Sequence, residues 1–215
     1  MRVLVIAPDQ GSINAVPEVR RIQSLHHTST LNGTVTAEDI YSAASATAFD
    51  VLHFATHGGP DGIALSGGAI FTAEDIAQVA RLRESQGVFF NACNTGKLAA
   101  YAVRHGPRWA ISSEVELLDF DAWKPAAAFY SHLRNGNSKD FVGAYLLGDS
   151  GDGDFALHID PLYVRELQRS AAIATTLPHT ATPTLTRREA MLWGVGLLVA
   201  SGALTGAILA MTGGF

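Results

Sequence analysis

Four short apolar runs constrain the fold of this chain more than any other feature. Each is six or seven residues long, and most of its apolar residues follow one another directly. The runs are RVLVIAP (2–8), VLHFAT (51–56), GVFFNA (87–92) and RWAISS (108–113). Continuous apolar runs of this length are typical of strands that helices cover on both faces, as in a parallel sheet. The runs therefore predict four strands of one mostly parallel sheet.

Helical segments are predicted between these strands. The pentapeptide TAEDI occurs twice, and Thr36 and Thr72 each stand three residues before an aspartate, which is the spacing of a capping box at a helix N-terminus. Two more helices are expected at 97–105 and at 122–134. Strands that alternate with helices predict an α/β sandwich.

Charge and cysteine content argue against two classes of protein. The net charge is −5 and no basic cluster is longer than the pair Arg187–Arg188, so we expect no nucleic-acid partner. Cys93 is the only cysteine, which excludes an intrachain disulfide, and the apolar N-terminal stretch is too short for a signal peptide. We therefore expect the folded part of the chain in a reducing cytoplasm.

The last part of the chain has a different composition. Residues 190–215 contain no charged residue, and 22 of them form the run AMLWGVGLLVASGALTGAILAM. As a helix this run is roughly 33 Å long, about the thickness of the hydrocarbon core of a bilayer. Arg187 and Arg188 precede it, so the positive-inside rule keeps the body of the protein in the cytoplasm. We expect a single-pass helix at 190–212 in the cell membrane, rather than a buried core helix.

This organisation predicts a linker and raises the question of a dimer. Residues 163–189 are rich in Thr and Pro and weakly periodic, as in a flexible linker, so 1–162 is the predicted folded domain. Within the predicted span, Gly202 and Gly206 lie four residues apart on one helix face. Either a homodimer contact or the general frequency of glycine in membrane helices explains this spacing.

Reactive side chains follow two of the predicted strands. His57 comes directly after VLHFAT and is followed by two glycines, and Cys93 comes directly after GVFFNA. Catalytic groups gather at the carboxyl ends of parallel strands, and a thiol beside an imidazole is the arrangement that a cysteine hydrolase needs. A helix that begins near Lys97 points its positive end at the Cys93 turn, which favours a nucleophilic sulfur. The backbone amides of Gly58 and Cys93 are the expected oxyanion hole.

Other chemistries fit the sequence less well. The segment GDSGDG at 148–153 is similar to the segment that carries the nucleophilic serine of trypsin-like proteases, and Ser150 would be that serine. Those proteases have an all-β fold, whereas this sequence predicts strands that alternate with helices. The aspartates of the same turn lack the spacing of a calcium loop. His53 and His57 would stand about 13 Å apart on a strand and cannot share one metal ion. We expect no metal and no cofactor.

Two longer segments together resemble the CHAT peptidases of the caspase and separase clan. The first is DVLHFATHGGPDGIALSGGAIFTAEDI (50–76) and the second is GVFFNACNTGKLAAYAVRHGPRWAISS (87–113). His-Gly after one strand, Asn-x-Cys after the next, and then AAAFYSHLRNG and LLGD follow the order of that family. The resemblance covers nearly the whole predicted folded domain.

The resemblance implies a caspase-like three-layer sandwich that hydrolyses peptide bonds. Cys93 would be the nucleophile, His57 the general acid and base, and the amides of Gly58 and Cys93 would hold the oxyanion. Members of the family often work beside a sensor or a partner protein. The resemblance therefore also implies a regulatory partner, and regulated proteolysis in defence or cell death.

A second set of residues is expected to bind the substrate, and it comprises Asp9, Asn91, Ser112, Ser113, Glu114 and Asp119. Asn91 departs from the pattern of caspases and metacaspases, which often carry Asp two positions before the nucleophile. The segment SSEVELLDFDAW also differs from many relatives. The three carboxylates could line a pocket for Arg or Lys at P1, the substrate residue before the scissile bond; solvated loop acids are the alternative.

The sequence thus predicts a membrane-tethered cysteine endopeptidase that faces the cytoplasm and cleaves a protein substrate. The alternative is a caspase-like docking module at the membrane without activity. The two differ in one geometric feature, which is whether the side chains of Cys93 and His57 face a common cleft.

Overall fold

Nine strands form two sheets in the described part of the chain. The computed structural model describes residues 1–11, 13–117, 123–134, 141, 144–145, 154–166 and 169. The strands are β1 (Arg2–Pro8), β2 (His27–Gly33), β3 (Val51–Ala55), β4 (Gly58–Gly59), β5 (Gly62–Ala64), β6 (Ile70–Phe71), β7 (Gly87–Asn91), β8 (Trp109–Ser113) and β9 (Phe155–Ile159). The larger sheet has the order β2-β1-β3-β7-β8-β9, and β4, β5 and β6 form a small antiparallel sheet.

The larger sheet is the mostly parallel sheet that the sequence predicts. The pairs β1–β2, β1–β3, β3–β7 and β7–β8 are all parallel. All four predicted apolar strands are present as β1, β3, β7 and β8, and each is buried along nearly its whole length. The α/β fold class is therefore confirmed.

Five helices connect these strands, and they are α1 (Val16–Leu25), α2 (Ala37–Ala46), α3 (Ala73–Leu82), α4 (Gly96–His105) and α5 (Trp123–Arg134). Thr36 and Thr72 begin α2 and α3 with complete capping boxes, as predicted. Each threonine N–H donates to the aspartate three residues later, at 2.8 and 3.0 Å respectively. The helices predicted at 97–105 and 122–134 are present as α4 and α5.

β2 and α1 are not among the elements predicted from the sequence. β2 reads HTSTLNG, lies at the edge of the sheet and keeps its side chains at least partly exposed, so it has no continuous apolar run. The buried residues of α1 are only Glu18 and Ile22, which gives a weak helical pattern of apolar residues.

Helices cover both faces of the larger sheet. On one face, apolar side chains of β1, β3 and β7 pack with α2, α3 and α4; they include Leu4, Ile6, Leu52, Phe54, Val88 and Phe90. The alternate side chains of the same strands face α1 and α5, where Phe89 packs on Phe129 with ring centroids 5.4 Å apart. His53 of β3 and Asn91 of β7 are polar residues on this second face; both are buried, His53 completely.

The C-terminal part of the chain is described by itself. The chain divides into two units, residues 1–158 and 159–215, and in the second unit residues 161–166 are helical. The predicted linker lies outside the described residues except for 163–166 and 169, and the predicted span at 190–212, with Gly202 and Gly206, lies wholly outside them. Among the residues that are described, no helix combines the length and the apolar character needed to cross a membrane.

Candidate active site

The register between β3 and β7 places two reactive side chains at one edge of the sheet. Ala55, the last residue of β3, pairs with Asn91, the last residue of β7. His57 and Cys93 each lie two residues beyond this pair. Because adjacent strands are about 4.8 Å apart, the two residues follow the sheet at the same height and close to one another. The two turns are in contact, because the Thr56 N–H donates to the Asn91 carbonyl oxygen at 3.4 Å.

Gly58 lets the turn after β3 pack against the turn after β7. A Cβ atom at Gly58 would lie 2.8 Å from Cβ of Ala92 and 3.2 Å from the carbonyl oxygen of Cys93, so a side chain there would push the turns apart. The Ala64 N–H donates to the His57 carbonyl oxygen at 2.9 Å, which makes the Gly58–Ile63 pair of β4 and β5 a non-hydrogen-bonded one. The Gly58 N–H therefore points away from β5 and takes no part in that ladder.

His57 and Cys93 line the same cleft. The other lining residues are Ile13, Asn14, Ala15, Glu18, Ala55, Thr56, Asn91, Ala92, Leu117 and Trp123. The His57 side chain is exposed and Cys93 is partly buried, so a ligand in the cleft can reach both.

The segment after β8 packs on the Cys93 turn and fixes it. The Leu117 N–H donates to Sγ of Cys93 at 3.2 Å. The Thr95 N–H donates to the Ser113 carbonyl oxygen at 2.8 Å. α4 then begins at Gly96, three residues after Cys93, so the predicted helix N-terminus follows the sulfur closely.

Glu18 contributes a buried carboxylate to this cleft, which the sequence analysis missed. It lies in the first turn of α1 and is 3% exposed. Nδ2 of Asn91 donates to both of its oxygens at 2.7 Å, and Nε2 of His53 lies 3.0 Å from Oε1. Glu18 thus joins α1 to the two central strands directly beside the Cys93 turn.

Tyr130 on α5 contacts the other ring nitrogen of His53. Burial raises the pKa of Tyr130 well above its usual value, and the charge of Glu18 raises it further, so the hydroxyl keeps its proton. The Tyr130 hydroxyl oxygen lies 3.1 Å from Nδ1 of His53, which is hydrogen-bond distance. Both ring nitrogens of His53 thus have a partner, Tyr130 on one side and Glu18 on the other.

Of the residues predicted to bind substrate, Asn91 lines the cleft. Ser112 and Ser113 are fully buried at the end of β8. Oγ of Ser112 lies 2.9 Å from Nε2 of His158, and the Ser113 hydroxyl donates to the Val115 carbonyl oxygen at 2.9 Å. As far as the described residues show, neither serine is among those that line the cleft.

Glu114 and Asp9, two of the acids predicted for the same pocket, have other surroundings. The Glu114 carboxylate lies against Gly96 at the start of α4, where the helix dipole favours a negative charge. The Asp9 carboxylate accepts a backbone N–H at 3.1 Å in an exposed turn. Neither is among the described residues that line the cleft, and Asp119 lies outside the described residues. No group of three or more His, Cys, Asp or Glu in the described chain could hold a metal ion.

The fold built from these elements is similar to that of known cysteine proteinases. It is similar to the crystal structure of the Arg-specific cysteine proteinase gingipain R, with a TM-score of 0.53 and 17% identity over 68% of this chain and 40% of that chain. It is also similar to a complex of the RgpB pro- and mature domains from Porphyromonas gingivalis, with a TM-score of 0.54 and 14% identity over 74% of this chain and 47% of that chain. The chain thus spans less than half of either protein, and the likeness concerns the fold.

The CHAT domain family matches residues 3–140. These residues are more than half of the chain and include both His57 and Cys93. The chain therefore belongs to the CHAT domain family. A search of the curated proteins finds no match.

His158 should make the stability of the fold depend on pH. Burial lowers the pKa of His158 below its ordinary value of 6.5, against the opposing effect of Glu114. The unfolded chain then binds a proton more readily than the folded chain, so the free energy of unfolding decreases as the pH falls below about 6.5. We expect His158→Gln to reduce this decrease, measured by urea denaturation at a series of pH values. His27→Gln, at an exposed position on β2, should leave the decrease unchanged; an equal slope in both variants contradicts the prediction.

Proposed function

We propose that the chain is a cysteine peptidase in which Cys93 is the nucleophile and His57 the general acid and base. The observation that supports this proposal is that both side chains line one accessible cleft at the ends of two neighbouring strands. A docking module without activity needs no thiol and imidazole in one cleft. The geometry therefore favours the peptidase.

The proposed reaction uses only groups at the ends of β3 and β7. His57 takes the proton of the Cys93 thiol, and the sulfur attacks the carbonyl carbon of the scissile bond. The carbonyl electron pair moves to oxygen, where the amides of Gly58 and Cys93 donate to it. The C–N bond then breaks as His57 protonates the leaving amine. A water molecule that gives its proton to His57 hydrolyses the thioester and restores the thiol.

The cleft also supports a preference for Arg or Lys at P1. Glu18 is the one carboxylate among the cleft residues, and no lysine or arginine is among them in the described part of the chain. Its partner Asn91 is neutral, so this amide stabilises the carboxylate without cancelling its charge. Nδ2 of Asn91 donates to both oxygens of Glu18 at 2.7 Å, so the amide keeps the carboxylate in place in the wall of the cleft.

Peptidyl chloromethyl ketones that differ at P1 test the catalytic pair. We expect such a reagent to alkylate the full-length protein in detergent, with mass spectrometry locating the adduct on its single cysteine, Cys93. Cys93→Ala should abolish labelling and cleavage. His57→Ala should slow peptide cleavage by about 100-fold or more, because the acid–base group is lost.

His27→Ala is the matched control for His57→Ala, because it removes an exposed imidazole from the edge strand β2 and should leave cleavage unchanged. Proteome-wide analysis of new N-termini in cells gives a second readout without a chosen peptide. Cleavage that persists in Cys93→Ala contradicts the proposal. New N-termini that are identical in wild type and Cys93→Ala favour the docking module.

A comparison of peptides with arginine or citrulline at P1 tests the charge of the pocket, because the two side chains have the same shape and only arginine is cationic. We expect wild type to prefer arginine, and Glu18→Gln to reduce the ratio of the two kcat/KM values by about tenfold or more. Glu38→Gln, at an exposed position in the first turn of α2, is the control. Equal kcat/KM for both peptides in wild type would contradict the preference.

We also propose that residues 190–212 anchor this peptidase in a membrane with the catalytic domain in the cytoplasm. The support is the uncharged apolar run and the preceding Arg187–Arg188 pair. We expect the full chain to remain in the membrane fraction after alkaline carbonate extraction, and a chain ending at residue 189 to be released. A full chain that carbonate releases completely contradicts the anchor.

A further inference from the structure

A buried polar chain leads from α5 to the wall of the cleft. The Tyr130 hydroxyl lies 3.1 Å from Nδ1 of His53, Nε2 of His53 lies 3.0 Å from Oε1 of Glu18, and Nδ2 of Asn91 donates to both Glu18 oxygens at 2.7 Å. All four side chains are at least nine-tenths buried. The proposed chemical steps use none of them, although each is a polar group in a layer that is otherwise largely apolar.

We propose that His53 and Tyr130 are positioning residues that set P1 selection from inside the fold, acting through Glu18 and Asn91. This inference rests on the proposed peptidase and concerns the same site. Neither residue is among the described residues that line the cleft, so neither touches a substrate there. Their effect passes through hydrogen bonds to Glu18, which lines the cleft together with Asn91.

The first step is the orientation of the Asn91 side chain. Its amide nitrogen contacts both oxygens of Glu18, so the amide oxygen must lie on the other side, because an oxygen facing the carboxylate would be repelled. Oδ1 is thereby left as an acceptor without a partner among the described residues. Glu18 and the Asn91 amide thus fix one another's orientation in the wall of the cleft.

The second step is the state of Glu18 itself. His53 donates to Oε1 when Nε2 carries the hydrogen, and a Tyr130 hydroxyl that donates to Nδ1 favours this tautomer. Without that hydroxyl, a hydrogen on Nδ1 would turn the Nε2 lone pair toward the carboxylate. A second hydrogen on the ring would instead make His53 cationic and cancel the charge of Glu18. Either change weakens the attraction for a cationic P1 side chain.

The test compares three variants by the ratio of kcat/KM for peptides with arginine and citrulline at P1. Tyr130→Phe should lower the ratio by about fivefold or more and His53→Leu by about tenfold or more, since each leaves a buried polar atom without its partner. His53→Gln should restore the ratio to within about twofold of wild type, because a carboxamide also accepts from Tyr130 and donates to Glu18. The alkylation rate of Cys93 by iodoacetamide should stay unchanged in all three.

Tyr41→Phe is the matched control, because Tyr41 on α2 donates to Asp75 at 3.0 Å and has no part in the cleft among the described residues. It should lower thermal stability without changing the arginine-to-citrulline ratio. Nitrogen-15 NMR of the histidines gives a direct readout: the His53 ring should carry its hydrogen on Nε2 in wild type and lose this single state in Tyr130→Phe.

Each outcome separates this inference from the proposed function. A wild-type protein that prefers arginine, with the same ratio in Tyr130→Phe and His53→Leu, overturns the positioning role and leaves the peptidase intact. A wild-type protein that cleaves both peptides equally well overturns the inference together with the P1 preference. If no chloromethyl ketone reacts with Cys93 and no peptide is cleaved, the proposed peptidase is contradicted. The NMR measurement then still shows which nitrogen of His53 carries the hydrogen.

Discussion

The parallel pairing of β3 with β7 is the constraint on which the candidate site depends. The register that joins Ala55 to Asn91 sends His57 and Cys93 off the sheet at the same level. A shift of one residue would turn one of these side chains to the opposite face, because side chains alternate along a strand. Gly58 strengthens the constraint, since a side chain there would separate the turns. Strand pairing and turn packing thus position the thiol and the imidazole before a substrate binds.

Glu18 shows how the fold keeps a buried negative charge beside a reactive site. An isolated carboxylate in the protein interior is costly, and here the hydrogen bonds from Asn91 and His53 offset part of that cost. The Asn91 amide is neutral, so it stabilises the carboxylate without cancelling its charge. The same contacts tie α1 to the two central strands, and Tyr130 extends them to α5. The polar network is therefore part of the packing as well as part of the cleft.

The sheet and the two reactive side chains could be predicted from the sequence because both depend on local signals. Apolar runs gave the central strands, and residues at the ends of those runs gave His57 and Cys93. The pocket depends on contacts between distant residues: Asn91 lies 73 positions from Glu18, and Tyr130 lies 77 positions from His53. Two signals were nevertheless present. A histidine inside an apolar strand requires a buried partner, and Pro17 followed by Glu18 is typical of the first turn of a helix.

The proposed catalytic residues and the proposed P1 pocket belong to different parts of this fold. His57 and Cys93 lie just beyond the ends of β3 and β7, outside the sheet itself. The proposed P1 pocket belongs to the core, so a change of one group leaves another buried polar atom unsatisfied. Aspartate at position 91, which the resemblance to caspases and metacaspases leads one to expect, would place a carboxylate where Asn91 now donates to Glu18 at 2.7 Å. Two carboxylates at that distance do not both remain ionised. Glu18 and Asn91 therefore depend on one another, and the acid of the proposed pocket belongs to α1 rather than to β7, the strand that precedes the proposed nucleophile.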